Sequence, residues 1–311
     1  MSKYMLKPLQ VFVFLSFFLL LGVKTEAKET SFALDEFSAS VVQAVVEKTM
    51  LQDYDGAIKE LRALEPSVAC VLHGMILTSR FDDLGDTLDI QKAILQLNQC
   101  KAKKEWKALG QLQLGFALVQ NGNSIKGALS TREAAQFFKD KESTDAKAFY
   151  AIYGYYLDQS LRHIPFVSDK RKKYIDDLKW GAENSKYFSY VFTSPLVWIY
   201  YDREEYEQAL HLIEKVLKKF PRNRVFLQNK ADMLYKLKRF DEAIQVYLFS
   251  VQEYYYDAPF SIRYWCAVAN LVKIYRDKGD LEKSAHWREK LDDKAFIALK
   301  KWLDPSILSD L

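Results

Sequence analysis

The sequence predicts an all-α fold built from stacked antiparallel helix pairs, and three observations carry that expectation. Ala209 and Ala243 stand 34 residues apart, each followed by an aliphatic residue (Leu210, Ile244) and each preceded at the third position by an aromatic one, Tyr206 and Phe240. The same offset pairs Ile213 with Tyr247 and Leu217 with Val251, so two consecutive stretches are variants of one unit. After residue 33 almost every segment places apolar residues at helical spacing, and β-branched alternation is nearly absent. Only seven prolines and eleven glycines punctuate the chain, and Pro66, Gly122, Pro165, Pro221 and Gly279 fall where helix pairs must turn.

Taken in chain order, residues 1–27 have the grammar of a secretory signal peptide. Lys3 and Lys7 give a basic start, Val11 to Val23 is apolar apart from Ser16 and Gly22, and Thr25-Glu26-Ala27 offers small residues for cleavage after Ala27. As a helix the apolar run would be roughly 20 Å long against a hydrocarbon core of about 30 Å, too short to span it comfortably. The expected location is therefore periplasmic or secreted, with an uncleaved inner-membrane anchor as the alternative and no stable membrane span after cleavage. Residues 28–190 read as a degenerate helical-repeat region. Leu114-Gly115-Phe116-Ala117-Leu118 with Gly122, Gly127 and Ala134 fits one unit, and Tyr54-Asp55-Gly56-Ala57-Ile58 with Leu61 and Pro66 fits the second half of another. Val68 to Leu97 and Ala146 to Lys186 look helical without clean repeat positions.

Residues 191–311 hold the clear repeats and a C-terminal helix. In Arg224 to Tyr255, Ala231, Ala243 and Tyr247 occupy small, small and aromatic positions; Val191 to Phe220 matches through Tyr200, Tyr206, Ala209 and Ile213, with Val197 replacing the first small residue and Pro221 ending the unit. A third unit runs from Asn270-Leu271-Val272-Lys273-Ile274-Tyr275 to Gly279-Asp280-Leu281-Glu282-Lys283-Ser284, displaced by seven extra residues expected within Tyr254 to Ser261. These residues resemble the tetratricopeptide repeat (TPR) family. The resemblance implies a right-handed α-solenoid in which small residues let paired helices approach and larger ones fill the space to the next helix. The chain also resembles functionally uncharacterised exported bacterial TPR proteins through Gly154-Tyr155-Tyr156, Ile164-Pro165-Phe166 and Asp169-Lys170-Arg171.

In that family the first-helix positions one residue beyond the small one, and four beyond it, point into a concave groove. Carried over position by position, this nominates Phe116 and Val119, Trp198 and Tyr201, Asp232 and Tyr235, and Lys273 and Arg276. Trp198, Tyr201 and Tyr235 would form an aromatic strip, with Asp232, Lys273 and Arg276 supplying polar specificity. The alternative is that the chain's own helices cover these rings. Members that clamp a C-terminal carboxylate use Lys and Asn at set positions; the equivalents here are Ser194 and Trp198, Gln228 and Asp232, Ala269 and Lys273, and only Lys273 matches.

Chemistry finds little local support. His73, His163, His211 and His286 form no i, i+4 pair, so no metal site is expected. No phosphate-cradling glycine loop and no nucleophile elbow is present, so neither a cofactor nor an enzymatic activity is expected. Asp82-Asp83, Asp176-Asp177 and Asp292-Asp293 point about 100° apart on a helix and are better explained by capping and solvation than by acid–base work. Removal of residues 1–27 leaves 42 basic against 40 acidic residues, near neutrality, which argues against a nucleic-acid partner. Of Cys70, Cys100 and Cys266, an odd count, the sequence favours three small buried residues over a Cys70–Cys100 bridge.

The expected function is that of an exported, non-catalytic adaptor that binds a protein or peptide in its groove. The alternative is a periplasmic carrier with an aromatic-lined cavity for a small molecule. Apolar residues at the C-terminal end, Trp302-Leu303 and Ile307-Leu308, leave room for a homo-oligomer or for folding back on the last repeat.

Overall fold

A computed structural model of the chain describes residue 32 and residues 34–161, 168–300 and 302–303. The leader read at residues 1–27, His163, the Ile164-Pro165-Phe166 segment and Ile307-Leu308 lie outside the described residues. Every regular element of the described residues is a helix, as the periodicity predicts, and these residues divide into two compact units. The N-terminal unit comprises 34–79 and 87–196; the C-terminal unit comprises 80–86 and 197–303.

The helices, in order, are α1 (Glu36–Met50), α2 (Tyr54–Glu60), α3 (Pro66–Leu84), α4 (Thr87–Gln99), α5 (Lys104–Gln120), α6 (Ser124–Phe138), α7 (Thr144–Leu161), α8 (Arg171–Asn184), α9 (Ser189–Asp202), α10 (Tyr206–Lys219), α11 (Arg224–Lys236), α12 (Phe240–Asp257), α13 (Ile262–Asp277), α14 (Leu281–Arg288) and α15 (Asp293–Leu299). Short polar side chains start several of them. Asp35, Asn223, Ser261 and Asp292 each accept the backbone N–H three residues on, satisfying a donor that the first helical turn leaves unpaired. Asp292 is thus a cap, as expected of its pair.

One turn recurs in five hairpins among the described residues: α1–α2, α5–α6, α9–α10, α11–α12 and α13–α14. Its middle residue is left-handed in every case, Gln52 (φ 65°), Gly122 (86°), Glu204 (60°), Lys238 (60°) and Gly279 (85°). The next residue's N–H then reaches back five residues to a carbonyl: Asp53 to Lys48, Asn123 to Leu118, Glu205 to Tyr200, Arg239 to Leu234 and Asp280 to Tyr275, at 2.8–2.9 Å. This bond closes the end of the first helix in the manner of a Schellman cap and sends the chain back along it. The first hairpin, of which the sequence shows only the second half, is therefore built like the others.

The C-terminal unit packs these hairpins through the small positions read from sequence. Val197 and Ala209, and Ala231 and Ala243, are fully buried, and Ser284 Oγ donates to the Val272 carbonyl at 2.9 Å across α13–α14. The seven inserted residues lengthen helices rather than forming a loop: α12 runs 18 residues to Asp257 against 14 in α10, and α13 runs 16 against 13 in α11. The extra turn is anchored. Tyr254 is fully buried and donates to the Asp83 carbonyl at 3.0 Å, Glu253 pairs with Arg222, and Asp257 pairs with Arg224 at 2.6 Å. Arg224 also forks onto Asp83, with Nε 3.0 Å from Oδ1 and Nη2 2.6 Å from Oδ2. Asp83 is wholly buried, so the solvation role expected of it is corrected: its partner lies 141 residues away, beyond the reach of a local reading. At the far end Trp302 and Leu303 are buried rather than exposed, and the Trp302 ring packs at a tilt against Phe81, with centroids 5.4 Å apart.

The N-terminal unit has a different core. Phe32, Trp106, Phe138, Phe149, Phe188 and Phe192 form one aromatic cluster, with Phe149 and Phe192 rings 4.7 Å apart and Phe32 and Phe188 rings 5.0 Å apart. Cys70 and Cys100 are disulfide-bonded with Cα atoms 5.6 Å apart, tying α3 to the end of α4. The sequence favoured unbridged thiols because an odd count leaves pairing open; only the approach of the two helices decides it. Cys266 is the free cysteine, and burial pushes its thiol up to about 11.

Candidate partner-binding surface

The nominated residues divide between the units. Phe116 lies half-buried on α5 in the N-terminal unit. Val119 does not face a groove: a Cβ added at Gly127 would meet its Cγ2 at 2.5 Å, so its side chain packs inside the α5–α6 hairpin. Trp198, Tyr201, Asp232, Tyr235, Lys273 and Arg276 all belong to the C-terminal unit.

Helical spacing brings Trp198 and Tyr201 to one face of α9, their rings edge to face at 5.6 Å. Tyr201 also meets Tyr206 across the turn at 5.6 Å, and 34 residues later Tyr235 meets Phe240 at 5.8 Å. The same ring pair thus clasps two successive hairpins. Tyr201 is only 6 % exposed, whereas Tyr235 and Trp198 remain half-buried.

Contacts then run from helix to helix. Lys236 Nζ of α11 sits 5.6 Å over the Tyr201 ring of α9, and Lys273 Nζ of α13 sits 5.6 Å over the Tyr235 ring of α11. Lys273 pairs with Asp277 at 2.9 Å, and the Tyr235 hydroxyl donates to the same carboxylate. Partial burial works against the Lys273 charge, but Asp277 and Tyr235 outweigh it and hold the ammonium above the ordinary lysine range. Burial also acts against the Asp277 charge; the Tyr235 and Lys273 hydrogen bonds overcome it and lower its pKa. Asp232 accepts from the buried Tyr247 hydroxyl, yet burial still raises its carboxyl. Arg276 is exposed. Trp198, Tyr201, Lys236, Tyr235, Lys273 and Asp277 therefore link α9, α11 and α13 through their own side chains.

Three members of this surface escape the sequence rule: Asp202, Lys236 and Asp277. Each follows a nominated residue directly (Tyr201, Tyr235, Arg276), at the same repeat offsets, so the period itself was the available signal. Among the described residues no group of three or more His, Cys, Asp or Glu side chains is placed to hold a metal ion, and no helix is long and apolar enough to cross a membrane.

Comparison with known proteins bears on the repeats. Residues 195–257 match the profile of the tetratricopeptide repeat family. Among solved structures the chain is similar to a Rap protein complexed with Competence and Sporulation Factor (13% identity, 88% of this chain and 80% of that one, TM-score 0.51). It also resembles NprR in complex with its cognate peptide NprX (14%, 90% and 83%, TM-score 0.45) and a tetratricopeptide repeat protein from Parabacteroides merdae (12%, 87% and 97%, TM-score 0.43). No curated protein sequence matches the chain. Residues 195–257 thus carry tetratricopeptide repeats, and the turn repeated in five hairpins of the described residues shows that a similar helical-hairpin geometry recurs outside that segment.

Proposed function

We propose that this chain is an exported, non-catalytic adaptor that binds a protein or peptide segment along the surface of α9, α11 and α13. One observation carries the reading: half-buried Trp198 and Tyr235 stand on neighbouring first helices of consecutive hairpins, joined by Lys236 and Lys273 into one continuous strip. Large aromatic side chains held by their neighbours give contact area at little cost in side-chain entropy, which is why they anchor interfaces. The Rap protein of similar fold is complexed with Competence and Sporulation Factor, and a peptide or protein occupant is proposed here in the same sense. Export is supported by the leader at residues 1–27 and by the Cys70–Cys100 bridge, since disulfides persist in oxidising compartments.

An affinity pull-down from envelope extract tests it, run with wild type and with a Trp198→Ala, Tyr235→Ala double variant. Truncating two interface anchors typically costs more than about 2 kcal/mol each, enough to remove a partner from the eluate. We expect one or more proteins recovered by the wild type and lost from the variant, with an unchanged circular-dichroism spectrum. Equal recovery by both chains would sink the assignment of this surface.

A further inference from the structure

The turn between α12 and α13 carries an aromatic residue where its own geometry favours none. Ser261 N–H donates to the Ala258 carbonyl at 3.2 Å, Pro259 stands second in that four-residue turn, and Phe260 stands third with φ 64°. A proline second and a left-handed residue third mark a type II turn, whose third position favours glycine because a side chain crowds the backbone there. The core does not use the ring either, since Phe260 is 70 % exposed. A strained backbone that displays an apolar ring to water is disfavoured twice in the isolated chain, and its benefit lies in a contact outside it.

Phe260 has aromatic neighbours. Tyr255 and Tyr256 at the end of α12 are 59 % and 67 % exposed, with centroids 5.9 Å apart. Behind Phe260, half-buried Trp265 packs at a tilt with its centroid 5.9 Å away and meets Tyr264 edge to face at 4.7 Å. Ala258 N–H closes the end of α12 on the Tyr254 carbonyl at 2.8 Å, and Ser261 caps α13, so the two helix ends hold these rings at one corner.

Charge at this corner is cancelled. From residue 251 to 263 the charged residues are Glu253, Asp257 and Arg263. Glu253 pairs with Arg222, Asp257 pairs with Arg224, and Arg263 is buried against the Trp302 ring. The rings can therefore leave water without dragging a bare charge along, which suits the neutral headgroup layer of a bilayer. Tyrosine and tryptophan concentrate in that layer because their rings are apolar with one polar end.

Area favours the same occupant. The three exposed rings present at most roughly 500 Å², and Phe249, two turns back on the same face of α12 as Tyr256, brings the total to about 600 Å². A stable protein contact buries about 800 Å² on each partner, so this corner by itself does not hold a second copy or another protein. Entry into a bilayer interface needs no matching surface, and its strength grows with the apolar area buried.

We propose that the α12–α13 corner is a membrane-docking tip, at which Tyr255, Tyr256 and Phe260 enter the headgroup region of a zwitterionic bilayer. The tip shares no residue with the strip of Trp198 and Tyr235, and the two assignments stand or fall separately.

The test uses the full-length protein with Gln252, an exposed residue one turn before the tip, replaced by cysteine and labelled with nitrobenzoxadiazole, whose emission shifts to the blue on leaving water. Cys266 is buried and Cys70 and Cys100 are bridged, so the dye reacts at one site. Phosphatidylcholine vesicles should give a saturable blue shift. Replacing about a third of the lipid by anionic phosphatidylglycerol should change the apparent affinity less than about twofold, because the tip carries no net charge.

Phe260→Gly should weaken insertion of the tip at least about tenfold, as loss of one buried ring implies. The same variant should melt at or above the wild type, because the turn regains its favoured residue. Adding Tyr255→Ser and Tyr256→Ser should abolish the shift even where residues 1–27 hold the chain on the vesicle, whereas Trp198→Ala with Tyr235→Ala should respond as the wild type does. No blue shift with the wild type, an equal shift in the triple variant, or a shift that requires anionic lipid overturns the docking tip. A lower melting point for Phe260→Gly would return the ring to the fold, and self-association seen by sedimentation in the wild type but not in the triple variant would assign the corner to a second copy; either result overturns the lipid assignment.

Discussion

Gly115 and Gly127 in the N-terminal unit stand where Ala231 and Ala243 stand in the C-terminal unit, on the two helices of one hairpin and twelve residues apart in each case. The glycine pair permits a closer approach: a Cβ at Gly115 would lie 2.8 Å from the Gly127 carbonyl, so backbone meets backbone. The alanine pair keeps methyl groups in the contact and remains close to the family pattern. Around these hairpins the units also differ in kind. The N-terminal unit is held by a cluster of phenylalanines and a disulfide; the C-terminal unit adds a buried arginine that two aspartates share. One hairpin geometry thus tolerates quite different cores, because the turn and the small-residue contact define it while the space outside is filled as the neighbours allow.

The largest way to break this contrast is Arg224→Met. It removes the partner of a fully buried carboxylate, and leaving Asp83 uncompensated should destabilise the protein by roughly 3–5 kcal/mol, read as a lower urea midpoint. A loss below about 1 kcal/mol would mean that the ion pair is not what holds residues 80–86 in the C-terminal unit. Next comes the N-terminal device. Reduction, or Cys70→Ser with Cys100→Ser, opens a bridge across 30 residues and should cost roughly 3 kcal/mol, whereas Cys266→Ser should keep the full wild-type loss of stability on reduction. The smallest effect sharpens what the units share. Nothing lies within 4 Å of a Cβ added at Gly279, so Gly279→Ala tests backbone conformation alone and should cost about 1 kcal/mol. Lys238→Gly, at the equivalent turn, should return a gain of up to about 1 kcal/mol. Thermal melts showing no opposite signs for these two would separate the turns that the geometry equates.

The C-terminal repeats were legible because their information is local and periodic. Ala209, Ala243, Tyr206 and Phe240 recur at one offset, and the candidate positions Trp198, Asp232 and Lys273 were carried over from the family resemblance at the same register. Tyr201 and Tyr235 were nominated in the same way, but counting could not show that each packs against the next helix through Tyr206 and Phe240. Gln52 hid the first hairpin's turn, since a left-handed glutamine carries no glycine signal. Asp202 was passed over because an aspartate after a tyrosine is unremarkable until the helix beside it leaves one oxygen without a donor.

By itself, then, the amino-acid order determined the all-helical class and the hairpin repeat, both consequences of periodic patterns read over short distances. Only the tertiary structure decided which distant groups meet. The pairing of Asp83 with Arg224, the bridge from Cys70 to Cys100, the continuation of α12 to Asp257 and the isolation of Asp202 depend on helices brought together across the chain. No local pattern encodes such meetings, because charge pairing and desolvation are set by what surrounds a side chain in space rather than by its neighbours in sequence.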